Sequence, residues 1–271
     1  MSDVDFAATV KQTSGLTAQD LSNLPLTPRA LDSSSVAPIR EDGDTAEIRV
    51  TFDRSNACER LEQRVIRYGP GRSKPRTLQG QQEILYVVDG EGTLLLDGDV
   101  HRLEPDTGVF LAAGETYEID NDNESDQPIV LVSVRAPQER EPSSRRKVVI
   151  RFDDQEELRA DAKRTFRYLV NQDAGCHDVT QFIGIVEPCR APDHSHVYDE
   201  VGYIIEGEGV AHIGDDHIPL HAGSVFHLPP EQVHCIENNG SSVMRIMGVF
   251  HPSGDPASRS YDEARTAAAT S

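Results

Sequence analysis

The chain is short of positive charge. Its 271 residues carry 26 Lys and Arg against 46 Asp and Glu, a formal net charge of −20. Contact with DNA, RNA or an anionic lipid surface needs a basic face, so none of these is expected as a partner. The acidic surplus reads as a well-solvated surface. Long apolar runs are also missing, and none approaches the ~20 residues of a membrane helix. The amino terminus, Met1-Ser-Asp-Val-Asp-Phe6, lacks the basic-then-apolar pattern of a secretory leader. Cysteine is sparse: Cys58, Cys176, Cys189 and Cys235 occur without C-x-x-C spacing. A chain of this length needs no disulfide staples, so reduced thiols in the cytoplasm are the expectation. Cys235 is read as a packing residue.

Against this background the histidines stand out. His194 and His196 are two apart, which in a strand puts both rings on one face. Glu200 follows a polar break and opens an apolar run, Val201-Gly-Tyr-Ile-Ile205. His234 comes after a Pro-Pro turn at 229–230. Imidazole and carboxylate suit Fe, Mn, Ni, Co, Zn or Cu. They converge here only if the strands curl into a barrel with these side chains inside.

The spacing resembles the two motifs of the cupin superfamily. The first reads His194-x-His196-x3-Glu200-x6-Gly207 and the second Gly223-x5-Pro229-x-Glu231-x2-His234-x3-Asn238. Two positions depart from the pattern, Pro188 at the opening glycine of the first motif and Glu231 at the inner glycine of the second. Neither is a ligand. The turn at Glu231 is expected to be unusual, because glycine there commonly serves a positive φ.

The same lengths recur earlier in the chain. Gly71-x5-Thr77-x-Gln79-x3-Glu83-x6-Gly90 has first-motif spacing with both histidines replaced. Glu83-Ile-Leu-Tyr-Val-Val-Asp-Gly-Glu-Gly92 aligns without gaps to Glu200-Val-Gly-Tyr-Ile-Ile-Glu-Gly-Glu-Gly209, and Tyr117 to Asn121 matches His234 to Asn238. The simplest account is a duplicated barrel, a bicupin. The expected fold is all-β, two tandem double-stranded β-helix (jelly-roll) barrels. Paired glycines at 89–92 and 206–209 read as hairpin turns, with further turns at 97–99 and 214–216.

The expected division is an N-terminal arm (1–45), a degenerate barrel (46–146), a metal-binding barrel (147–252) and a C-terminal tail (253–271). Thr17 could cap a short helix in the arm. Lys147 to Phe152 reads as a strand, one that the two barrels could exchange. Asp154 to Lys163 reads as a helical turn or a connecting loop, and the tail as a loose surface segment.

The resemblance implies one divalent transition metal in the second barrel, held by His194, His196, Glu200 and His234. Fe or Mn heads the set, with Ni, Zn, Cu and Co also compatible. Four protein ligands would leave two positions of an octahedron open, as a catalytic site requires. The first barrel offers Thr77, Gln79, Glu83 and Tyr117 at those positions, too few nitrogens for a tight site. Its Glu83 must then hydrogen-bond, with Tyr117 or Gln79 as partner, or stay protonated. Gly202 and Ile204 share the inward parity of Glu200 and should line an apolar floor. Tyr198 is read as packing. His212 and His227 are secondary candidates for the cavity wall, while His217 and His221 flank a turn and are expected at the surface. The leading functional expectation is a dioxygenase acting on a small, oxygen-rich metabolite chelated to the metal, with an anionic one compatible. The alternatives are a redox-neutral isomerase, lyase or cyclase, and a non-catalytic ligand-binding cupin. A homodimer is compatible with the resemblance.

Overall fold

The structure, a computed structural model, describes residues 29–122 and 127–258. The helix expected at Thr17 lies outside them. Among the described residues, regular structure consists of β-strands and single-turn 3-10 segments. Two barrels result, each a large sheet facing a small one.

In the second barrel the large sheet runs Ala30–Asp32, Ser224–Leu228, Asp199–Glu206, Met244–His251, Thr180–Val186, Arg164–Val170, Leu158–Arg159. Its small sheet runs Cys189–Arg190, His234–Asn238, Glu208–Ile213, Asp216–His221. The first barrel repeats this order, with Gln81–Asp89, Thr107–Leu111 and Ile129–Pro137 central in its large sheet. The duplication extends to side-chain detail. Asn121 Nδ2 donates to the carbonyls of Tyr68 (3.1 Å) and Gln127 (2.8 Å). Its counterpart Asn238 donates to those of Val186 and Ser242, both at 2.8 Å.

Edge strands are exchanged. Ala30–Asp32, from the segment before the first barrel, pairs with Ser224–Leu228 of the second. Val149–Arg151, which follows the linker and was grouped by sequence with the second barrel, pairs with Thr107–Leu111 of the first. The stretch after it forms a 3-10 turn at Phe152–Asp154 and the short strand Leu158–Arg159.

The paired glycines are not hairpin turns. Gln81–Asp89 and Gly92–Leu96 belong to different sheets, as do Asp199–Glu206 and Glu208–Ile213. At these corners the chain leaves one sheet for the other and passes close to neighbouring backbone. Gly90 has φ +84° and a Cβ there would lie 2.6 Å from the Pro128 carbonyl oxygen; Gly207 has φ +90° and a Cβ would lie 2.8 Å from Met244 Cα. The hairpins come one turn later, where Gly92–Leu96 pairs with Asp99–Leu103 and Glu208–Ile213 with Asp216–His221.

Strand alternation sorts the core. Val201 and Tyr203 face away from their own barrel into a core shared with the first, alongside Tyr86, Phe110, Val132, Met247 and Val249. Ile204 faces the other way, into a cluster with Phe226, Leu228 and Ile246. The two large sheets are thus packed face to face, and Glu200 points into the second barrel.

Candidate metal centre

The segment 191–198 is not a regular strand. A single bridge ties His194 to His234, with N–H to O distances of 3.0 and 2.8 Å between their backbones. Glu200 comes from the second residue of Asp199–Glu206, and His234 opens His234–Asn238. The tightest grouping is His196, Glu200 and His234, one ligand atom of each lying within 4.8 Å of the other two. The His194 ring stands beside it, with centroids 4.4 Å from His234 and 6.4 Å from His196. All four side chains line one cavity of about 100 Å³.

The hydrogen bonds set the tautomers. His194 Nδ1 contacts the Pro192 carbonyl (3.0 Å), His196 Nδ1 that of Tyr198 (2.8 Å), and His234 Nδ1 that of Gln232 (2.8 Å). A carbonyl only accepts, so each Nδ1 carries the hydrogen and each Nε2 keeps its lone pair. Metal-ligating histidines show this arrangement of the far nitrogen. His196 Nε2 lies 2.9 Å from Glu200 Oε2. A lone pair facing a carboxylate at that range needs a cation between them or a proton on the ring. Cis ligands about 2.1 Å from a metal stand roughly 3 Å apart, so the separation fits an ion. Burial, followed by the neighbouring His194 and His196, pushes His234 down to about 3. Burial likewise lowers His194, and the Arg164 charge adds to the effect. Both rings are therefore held neutral, the form that ligates.

The walls are apolar. Phe166, Phe182, Tyr198 and Phe250 form a cluster beside the donors. Tyr198 stacks on His196 at 4.2 Å and 15°, and on Phe250 at 4.2 Å and 28°. This clamps the imidazole, so the packing role expected of Tyr198 serves the site directly. Gly202 lies under Phe226, where a Cβ would come within 2.0 Å of the ring. The expected floor is therefore Phe226 and Leu228, with Ile204 behind them.

Other expectations shift. His227 is buried on the far face of the sheet, with Nε2 2.7 Å from Asp199 Oδ1 and Nδ1 3.1 Å from Arg29 Nη1. His212 is on the outer sheet, 2.8 Å from both His217 Nδ1 and Glu237 Oε2. Neither lines the cavity. Cys58, Asp199 and His227 form a second buried group of metal-ligating type between the barrels. Its imidazole has hydrogen-bond partners on both nitrogens. Arginine only donates, so His227 Nδ1 accepts and Nε2 must carry the hydrogen given to Asp199. Burial, with Asp199 next, raises the Cys58 thiol far above its usual range.

In the first barrel Glu83 is fully buried and accepts from Tyr117 Oη (2.8 Å) and from Ser133 Oγ. Arg135 Nε lies 3.3 Å from its Oε1. Gln79 is exposed and plays no part. Sequence reasoning found Tyr117 but missed Arg135, which sits opposite Glu83 in the adjacent strand. It also missed the Phe166, Phe182 and Phe250 wall, Arg164, and a strap formed by 253–257. In the strap Tyr198 Oη donates to the Asp255 carbonyl at 3.1 Å, Thr180 Oγ1 meets Ser253 Oγ at 2.7 Å, and Pro256 reaches the cavity. Nothing in the periodicity of these stretches marks contacts so distant in sequence.

Tandem jelly-roll barrels with an imidazole–carboxylate pocket in one of them define the class as bicupin. Residues 64–135 and 183–250 each match the cupin domain, and the chain belongs to the cupin family. It is similar to a protein from Pseudomonas aeruginosa described as glyoxylate-induced, at 21% identity over 81% of this chain and 87% of that one, with a TM-score of 0.70. It is also similar to Bacillus subtilis oxalate decarboxylase, at 13% identity over 85% of this chain and 79% of that one, with a TM-score of 0.68. No curated protein sequence matches. Among the described residues, no helix is long and apolar enough to cross a membrane.

Proposed function

We propose that His194, His196, Glu200 and His234 hold one divalent transition metal, Fe or Mn before Ni, Zn, Cu or Co, and that the second barrel is the active site of an enzyme acting on a small, oxygen-rich metabolite. The observation that carries this reading is the shared tautomer: three Nδ1–H groups are spent on backbone carbonyls, with His196 and His234 grouped about the Glu200 carboxylate and the His194 ring 4.4 Å from His234. When bound, the metal supplies Lewis acidity and a template for adjacent oxygen donors. The chain's own residues do the rest. The Tyr198 stack fixes His196, and Phe166, Phe182 and Phe250 give the cavity an apolar wall.

Among reaction classes, oxygenation comes first. Isomerisation or elimination needs a base to take a proton from carbon. Among the described residues, the polar side chains on the cavity wall apart from the four donors are Arg164, Thr165 and Tyr198. Burial, followed by Glu200, raises the Tyr198 phenol well above its usual value, so it is a poor base. Elemental analysis of protein purified without added metal tests the site, with about one ion per chain expected. Oxygen uptake by the Fe(II)-loaded protein with candidate chelating metabolites tests the reaction. Turnover of such a compound without oxygen would favour redox-neutral chemistry, and saturable binding without turnover a non-catalytic cupin.

A further inference from the structure

Apart from the donor set, one of the described residues on the cavity wall carries a full charge, Arg164. It opens the strand Arg164–Val170 and its side chain is 18% exposed. Its known contacts use part of the guanidinium: Nε and Nη2 both reach Asp161 Oδ2, at 2.8 and 2.7 Å. A carboxylate oxygen held this way neutralises much of the charge but leaves Nη1 and its two N–H groups uncommitted among the described residues. The surroundings are apolar, with Phe166, Phe182, Val186 and Ile246 on the same wall. In such a setting a guanidinium binds a planar carboxylate far better than it does in water. The cavity that these residues share with His194, His196, Glu200 and His234 has a volume of about 100 Å³.

We propose that Arg164 is the specificity-determining anchor for a small monocarboxylate, whose carboxylate meets the guanidinium while its remaining oxygen faces the His194–His196–Glu200–His234 donors. This rests on the reading of the second barrel as a binding site for an oxygen-rich metabolite, and names the charge of that metabolite. The short apolar body lies against the Phe166 and Phe182 wall. Neutral analogues of the same shape leave the guanidinium unpaired and bind less well.

The test uses the full chain and two probes matched in shape, 2-oxobutanoate and its neutral amide 2-oxobutanamide. Binding is followed by titration calorimetry on metal-free and Mn(II)-loaded protein. The wild type should prefer the carboxylate. Arg164→Gln should weaken it ten- to a hundredfold, the usual worth of a charge-assisted contact. Amide binding, metal content and thermal midpoint should stay unchanged, and Arg164→Lys should keep part of the preference. Asp161→Asn, which loosens the same surface pair, should leave carboxylate binding intact or stronger. Carboxylate binding unaltered by Arg164→Gln would overturn the proposal, as would a wild type that binds neither probe or both equally. Loss of binding in Asp161→Asn equal to that in Arg164→Gln would also overturn it, by showing a structural role for the pair. A wild type that takes up no metal, yet binds the carboxylate through Arg164, would sink the metal reading and leave this one standing.

Discussion

Glu83 and Glu200 hold the same place in the two barrels and are balanced in different ways. Opposite Glu200 in the neighbouring strand is Phe250; opposite Glu83 is Arg135. The first barrel thus meets its buried carboxylate with a guanidinium and two hydroxyls. Removing one partner of a buried ion pair strands the other, at about 3 kcal/mol or more. Arg135→Met should therefore destabilise the protein by that order in urea unfolding, and adding Glu83→Gln should restore part of the loss. An additive double variant would show that the pair is not coupled. His196→Ala should release most of the metal while far-ultraviolet circular dichroism stays unchanged; full metal retention would rule out the donor set.

Asp178 gives the residue scale a pH dependence. Burial pushes its carboxyl up, but hydrogen bonds from the Arg140 side chain and the N–H groups of Arg140 and Glu139, at 2.7, 3.0 and 2.8 Å, outweigh that and hold it below its usual value. An unfolded aspartate titrates near 3.9. The folded value is the lower one, so this stabilisation is present above about pH 4 and disappears as pH falls through the folded value. Asp178→Asn should cost roughly 1–2 kcal/mol at neutral pH. The gap to wild type should narrow as pH falls from about 4 and close below the folded value, as followed by thermal melts through the acid range.

At the scale of elements, a turn and a strap shape the site. Glu231 adopts φ +64°, and its N–H donates to the His196 carbonyl at 2.7 Å. The left-handed conformation expected of the family's glycine is thus kept by a residue with a Cβ. That conformation costs about 1 kcal/mol for a side-chain-bearing residue. Glu231→Gly should raise stability by up to that amount, or leave it unchanged once backbone entropy is counted, without loss of metal. A clear drop in the unfolding midpoint would show that the Glu231 side chain itself contributes. The strap is tied by the Tyr198 hydroxyl to the Asp255 carbonyl and by Tyr168 Oη to Asp255 Oδ1 at 3.3 Å. Tyr198→Phe keeps the stack on His196 but cuts one tie. Metal removal by a chelator should become faster at unchanged stoichiometry; an unaltered rate would mean that the strap does not limit access.

At the scale of the whole molecule, the largest apolar cluster belongs to neither barrel alone. It joins Phe52, Tyr86, Phe110 and Val132 of the first to Val201, Tyr203, Met247 and Val249 of the second. Gln63 Nε2 crosses the boundary to the Gly202 carbonyl at 3.0 Å, and the edge strands are exchanged. Neither barrel can unfold without exposing this face, so calorimetry should show one transition. Met247→Lys, which buries a charge in the shared core, should lower it as a unit. Two resolved transitions would show that the barrels are energetically separate.

The duplication, the all-β class and the convergence of His194, His196, Glu200 and His234 on one cavity were legible in the residues because they depend on spacing. Ligands two, four and many residues apart recur at fixed intervals wherever strands of fixed length fold back on each other. The corner glycines were visible but misread as hairpins, since a positive φ and a tight approach look alike in sequence whether the next strand pairs or leaves the sheet. Only the tertiary structure decided that His227 faces the inter-barrel side, that Arg135 stands in for a cation beside Glu83, and that Arg164, three phenylalanines and the 253–257 strap enclose the cavity. These depend on which distant strands become neighbours, and burial, charge pairing and cavity shape arise from that packing, which no local pattern of residues encodes.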